Sequence, residues 1–221
     1  FELPVLDLHG GVDRLGARTH GVAAAIRHAL EQVGVFALVR HGFDSSLVDA
    51  VFSEARRFHD QSLERKAAVP FSDAFTGYLP AAAHVLRTSQ VNANTRTDLN
   101  EAFLVDRERP PPGQDAQGFV SRNQWPPDLP GFREVVVRYY QQMEQFARAL
   151  LPLYARALNL PADWFDSAFA WPQASLRLAH YPPLPRADNQ FGIAPHTDAG
   201  FLTILPQSEV SGLHIKLGEE W

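Results

Sequence analysis

The spacing of apolar residues changes several times along the chain, and each change predicts an element. Val5 to Leu8 is a short apolar run that reads as a strand. Between Ala17 and Val33 the apolar positions Val22, Ile26, Leu30 and Val33 recur at helical spacing. Gly34 follows directly, where a helix C-terminus favours glycine. The continuous run Val35 to Val39 predicts a buried strand closed by His41 and Gly42. Asp44 or Ser45 then offers a cap for a second helix with the face Leu47, Val48, Val51, Phe52, Ala55 and Phe58.

Residues 70–98 carry little periodicity and several turn formers, so they read as a long loop with one short excursion. Glu101 to Val105 predicts a strand, and the proline-rich segment 107–130 a further loop. A long helix is expected from about Gly131 to Leu158, on the stripe Phe132, Val136, Tyr139, Met143, Phe146, Leu150, Leu153 and Ala157. Pro152 lies inside that stripe and should kink or split the helix. Three strands are expected after Asp166: Ser175–Tyr181, Phe201–Leu205 and Leu213–Leu217. Helices first and strands after predict an α+β class, with residues 1–221 as one domain, helical to about 170 and strand-based over 171–221. Three strands cannot close a barrel, so the β unit is expected to be incomplete.

Composition narrows the chemistry. Of the 221 residues 45% are apolar, enough to fill a core, and the net charge of −5 argues against a nucleic-acid partner. There is no cysteine, which removes disulfides, iron–sulfur clusters and thiol nucleophiles and fits a reducing cytoplasm. No apolar stretch is long enough for a membrane span, and no signal peptide is visible. The chain opens on Phe1 and stops at Trp221 without a cap or polar tail, so both ends are expected to be cut.

Phosphate-cradling glycine loops, the nucleophile elbow of serine hydrolases and HExxH are all absent. What remains is Ala194-Pro195-His196-Thr197-Asp198-Ala199-Gly200. In an extended chain His196 and Asp198 project to the same side, so an imidazole and a carboxylate can take adjacent positions on one metal. Taken alone, the pair reads more readily as a turn histidine beside a capping aspartate.

Its surroundings resemble the isopenicillin N synthase-like family of Fe(II)/2-oxoglutarate-dependent oxygenases. The resemblance runs through Leu3–Leu8, Gly34–Gly42, Gly77-Tyr78, Asn123–Pro126, Leu176–Pro183, His196–Leu205 and Gly212–Ile215. It implies N-terminal helices packed on a double-stranded β-helix (jelly-roll) core whose C-terminal part is absent from this sequence. It also implies His196 and Asp198 as metal ligands and catalytic residues, with Tyr181 contacting a cosubstrate carboxylate. Period-two alternation puts Arg177, Ala179 and Tyr181 on one strand face, so Arg177 is a second cosubstrate candidate. The cofactors implied are Fe(II), 2-oxoglutarate and dioxygen, with ascorbate as reductant. The reaction implied is oxidation of a small organic molecule by hydroxylation, desaturation or ring closure, with release of succinate.

Two departures weigh on this reading. The family's second histidine ligand and its 2-oxoglutarate-anchoring arginine lie beyond the positions that this sequence covers. His214, the one histidine after Asp198, is expected to border the barrel rather than bind metal, and the remaining histidines read as structural. A 2-oxoglutarate-independent Fe(II) oxidase, a zinc hydrolase and a non-catalytic relative remain open as alternatives. Residues 71–103 are expected to cover the mouth of the substrate pocket, with Phe75, Tyr78 and Phe103 lining it.

Overall fold

The structure is a computed structural model, and it describes residues 2–83, 95–113, 121–183 and 187–219. The chain divides into two compact units. The first takes in the described residues of Phe1–Ser45, Met143–Pro172 and Ile204–Trp221, and the second those of Ser46–Gln142 and Gln173–Thr203.

In the first unit β1 (Val5–Asp7) pairs in parallel with β2 (Ala37–Val39), Leu6 facing Leu38. Parallel strands need a crossover connection. Here it is α1 (Thr19–Gln32), entered through two 3-10 turns. Its stripe buries Ala23, Ile26 and Ala29, and Gly34 follows at φ +85°, where an L side chain would be strained. Beside this pair Asp7 takes the Arg40 guanidinium on its carboxylate and the His9 amide at 2.7 Å. The Arg40 hydrogen bond chiefly holds its pKa at about 2.

The second unit carries most of α2 (Ser45–His59), the short α3 (Leu63–Ala67) and an antiparallel sheet. Its strands are β3 (Gly77–Leu79), β4 (Glu101–Val105) and β5 (Leu176–His180), in the order β3-β4-β5. Tyr78 faces Phe103 across one ladder, and Phe103 faces Leu178 across the other. Period-two alternation therefore puts Tyr78, Glu101, Phe103, Val105, Leu178 and His180 on one face of the sheet. That face covers an aromatic core in which Phe58, Phe103, Trp125 and Phe132 stack at centroid distances from 4.6 to 6.0 Å. Edge-on and tilted contacts of this kind fix the angle of α2 and of the following helix against the sheet.

That helix, α4 (Phe132–Ala157), passes through both units. Pro152 lies within it and does not split it. Burial of Leu150, Leu151, Leu153 and Tyr154 around the proline holds the turn in place although one backbone hydrogen bond is lost there.

Phe201–Leu205 and Leu213–Leu217 do not form strands; only an isolated bridge appears at Leu217. Apolar alternation supplies half of what a strand needs, and a ladder partner supplies the other half. Among the described residues neither segment has one. Two further elements appear: α3, in a stretch assigned no element from sequence, and β3, inside the expected loop 70–98. Ser62 caps α3 by accepting the Arg65 amide, and β3 is held from both sides by β4 and by the Val69–Phe71 backbone. Residues 84–94, within the expected loop 70–98, and residues 114–120, within 107–130, lie outside the described residues. No described helix is long and apolar enough to cross a membrane.

Candidate metal and cosubstrate site

The second face of the β3-β4-β5 sheet carries Arg177 and Ala179, both exposed, and the chain continues along that side to Tyr181, 53% exposed. His180 turns the other way, toward Glu101. The guanidinium of Arg177 donates to the side-chain oxygen of Asn100, which fixes its reach. Tyr181 packs against Gly192 so closely that a Cβ there would lie 2.6 Å from its Cδ1. Burial of the phenol raises its pKa, Arg177 opposes that and the Asp98 carboxylate adds to it. The hydroxyl is therefore a proton donor throughout the neutral range.

Residues 189–194 run beside residues 95–100. Leu99 N donates to Phe191 O at 3.0 Å and Asn100 N to Gly192 O at 2.8 Å. The Asn100 side-chain amide reaches the same Gly192 carbonyl at 2.5 Å. Asp98 Oδ1 accepts the Ala194 amide at 2.9 Å. Two residues later the Nδ1–H of His196 donates to the Ala194 carbonyl at 2.8 Å. In the neutral imidazole this leaves the lone pair on Nε2, which lies 3.4 Å from Asp198 Oδ1.

The donor set fits a divalent ion. Two ligand atoms bound at about 2.1 Å and roughly at right angles to each other lie about 3 Å apart. His196 and Asp198 come near that spacing before any ion is considered, with the imidazole tautomer already set for ligation. The sequence expectation that both project to one side corresponds to this geometry, although their backbone is irregular rather than a strand. Among the described residues no third histidine or carboxylate joins them in one cluster. His214 is exposed.

The three expected pocket residues do not come together at a surface. Phe75 is 72% exposed, in a left-handed turn at φ +60°. Phe103 is wholly buried among Phe58, Trp125 and Phe132, and Tyr78 is buried with its hydroxyl on Glu101. Aromatic character marked all three equally in the sequence. Strand pairing then sent two of them to the core face.

Sequence reasoning missed a buried polar network on that face. The Lys66 ammonium lies 2.9 Å from Oε1 and 2.8 Å from Oε2 of Glu101 and also reaches the His59 carbonyl at 3.1 Å. His180 Nδ1 lies 2.9 Å and His59 Nδ1 3.2 Å from Glu101 Oε1, while His59 Nε2–H donates to Leu178 O at 3.0 Å. The available signal was a glutamate at the head of an apolar strand, which has to bring a cation with it when buried. His59, Glu101 and His180 have the composition of a metal triad and lie close enough together to form one. The ammonium already on both carboxylate oxygens opposes a second cation there, so the trio belongs to an ion-pair network and not to a metal centre.

A profile described as the non-haem dioxygenase in morphine synthesis N-terminal matches residues 3–128, and one described as the 2OG-Fe(II) oxygenase superfamily matches residues 172–221. The 2-oxoglutarate-dependent dioxygenase citB of Monascus ruber is 31% identical, over 100% of this chain and 70% of its own length. The 2-oxoglutarate-Fe(II) type oxidoreductase hxnY of Emericella nidulans is 29% identical over 96% of this chain and 62% of its own length. Kihadalactone A synthase LFS of Citrus sinensis is 28% identical over 97% and 65%. The chain thus spans about two thirds of the length of these relatives. Among solved structures, JOX2 in complex with 2OG, Fe and JA is 25% identical, with a TM-score of 0.63 over 90% of this chain and 53% of that one. A full-length Neurospora crassa protein in complex with alpha-KG and thymine shares the fold at 22% identity, with a TM-score of 0.66 over 81% and 55%. With both profiles in chain order and a dioxygenase relative 31% identical over the whole of this chain, this chain belongs to the 2OG-Fe(II) oxygenase superfamily.

Proposed function

We propose that the protein is an Fe(II)- and 2-oxoglutarate-dependent oxygenase that oxidises a small organic molecule in a reducing cytoplasm. The observation that carries this is the His196 Nε2–Asp198 Oδ1 pair, 3.4 Å apart and tautomerically set by Ala194. Such ligands would hold Fe(II), which would supply binding of a keto acid and activation of dioxygen. This chain's own contribution is arrangement. His196 and Asp198 hold the ion, while Tyr181 presents a phenol and Arg177 a guanidinium on the exposed sheet face, suited to a carboxylate. The acceptor on Arg177 is the neutral Asn100, so its positive charge stays uncompensated by that contact.

The test is anaerobic loading of the full chain with Fe(II) and 2-oxoglutarate, then exposure to dioxygen with a panel of small molecules and ascorbate. Succinate release that disappears in His196→Ala, with the fold unchanged by circular dichroism, is the expected result. Dioxygen uptake without succinate would move the protein to a 2-oxoglutarate-independent oxidase. Normal turnover in His196→Ala would overturn the site.

A further inference from the structure

We infer that Asp98 is a positioning residue for the metal ligand His196, acting through the backbone of Ala194. This rests on the metal reading proposed above and goes beyond it to a residue joined to the imidazole only through two successive hydrogen bonds. The buried Asp98 carboxylate accepts the Ala194 amide at 2.9 Å, and the Ala194 carbonyl accepts His196 Nδ1–H at 2.8 Å. Ala194 itself is only 2% exposed and Asp98 is buried, so the first of these bonds is shielded from water.

The residue between them makes the relay stiff. Pro195 has a fixed φ and disfavours the helical region for the residue before it, so Ala194-Pro195 is restricted at both positions. The same proline has no N–H, so the segment cannot be anchored at that point by a backbone ladder. Anchorage comes instead from residues 98–100: Leu99 N on Phe191 O, Asn100 on Gly192 O, and Asp98 on Ala194 N. The last of these bonds is the nearest to His196, and it is the one made by a side chain of the 98–100 segment to the residue that sets the imidazole tautomer. Loss of the Asp98 acceptor frees Ala194, loosens the carbonyl that orients the ring and lets Nε2 drift from Asp198.

Removal of outer partners of a metal-bound histidine typically weakens metal binding about 10–100-fold. Co(II) titration of the full chain, followed by ligand-field absorption, reads this without turnover. Asp98→Ala is expected to weaken Co(II) by about that factor and to alter the absorption envelope, with the melting temperature measured alongside. Asp98→Asn, which keeps an Oδ1 acceptor and removes the charge, is expected to bind Co(II) within about threefold of the parent. Asp98→Ser, too short to reach the amide, takes the place of the alanine variant if that one does not fold. Equal weakening in Asp98→Asn and Asp98→Ala would show that charge and not the acceptor matters, and would overturn the role. Unchanged affinity in Asp98→Ala or Asp98→Ser would overturn it too. In both of those cases binding remains dependent on His196. A parent that fails to bind Co(II), or binding unaffected by His196→Ala, would instead overturn the metal reading itself.

Discussion

The Lys66 ammonium sits between both carboxylate oxygens of Glu101, at 2.9 Å and 2.8 Å, with both residues buried. Removing one partner of a buried pair leaves the other charge without compensation. Lys66→Ala is therefore expected to destabilise the full chain by about 3–5 kcal/mol, read as a lower urea midpoint at an unchanged slope. Replacing both, as in Lys66→Met with Glu101→Leu, should recover much of that loss, because two apolar groups need no compensation. A Lys66→Ala cost below about 1 kcal/mol would mean that water reaches Glu101 and that the pair does not anchor the sheet.

The same network sets an acid limit. Burial pushes the Glu101 pKa up, but hydrogen bonds from Lys66, Tyr78 and His180 and the field of His59 prevail and hold it at about 2, against an ordinary 4.5. The unfolded chain then takes up the proton first. Glu101 contributes stability above pH 4.5 that is lost as pH falls from 4.5 toward 2. His59 acts in the same direction at higher pH. Burial lowers its pKa below 6.5 despite the Leu178 carbonyl and Glu101, so protonation of the unfolded chain costs stability once pH drops below 6.5. Urea midpoints measured from pH 7 downward should fall in two stages, the upper one absent in His59→Gln. A profile flat from pH 7 to 5 would contradict the His59 assignment, and one flat from 4.5 toward 2 the Glu101 assignment.

Gly77 offers a test of backbone geometry. It sits at φ +98° at the start of β3, and a Cβ there would run into the carbonyl oxygen of Pro70. Tyr78 N donates to Val69 O at 2.7 Å across the same narrow gap. The obstacle is backbone that is itself hydrogen-bonded, so it cannot move aside cheaply. Gly77→Ala is expected to cost at least about 1–3 kcal/mol, measured by thermal or urea unfolding. A change within about 0.5 kcal/mol would show that the β3 edge is free to shift.

The elements and side-chain clusters of this chain differ in how well the sequence announced them. Periodicity and apolar runs located α1, α2, α4, β4 and β5 to within a few residues. The proximity of His196 and Asp198 was legible because two-residue spacing projects both side chains to one side. The Lys66–Glu101 network was not, since its members come from α2, α3, β3, β4 and β5 and meet only in the folded chain. Tyr78 and Phe103 show the same blindness in reverse. An aromatic residue carries no mark of which sheet face it will occupy, and these two face the core. Phe201–Leu205 and Leu213–Leu217 have the composition of strands, but strand formation depends on a partner that composition cannot supply.

Tyr181 can be separated from its neighbours by two substitutions with different physical effects. Tyr181→Phe keeps the ring against Gly192 and removes only the hydroxyl, which is held protonated by burial and by Asp98. A hydrogen bond from that hydroxyl to a cosubstrate carboxylate is worth about 1.5–3 kcal/mol, or roughly a 10- to 150-fold rise in the 2-oxoglutarate dissociation constant. Gly192→Ala keeps the hydroxyl and displaces the ring, since the new Cβ would lie 2.6 Å from Cδ1. The ring is more than half exposed and can move, so stability should change little while 2-oxoglutarate affinity falls. Both variants should leave Co(II) affinity within about threefold of the parent, because neither removes the Asp98 acceptor of the Ala194 amide. Anaerobic titration of the Fe(II)-loaded chain with 2-oxoglutarate, followed by charge-transfer absorption, measures the first effect, and Co(II) titration the second. If Gly192→Ala binds 2-oxoglutarate as tightly as the parent while Tyr181→Phe does not, the phenol finds its partner from more than one ring position. If neither variant weakens binding, Tyr181 has no part in the cosubstrate site, and Arg177 becomes the residue to test on that face.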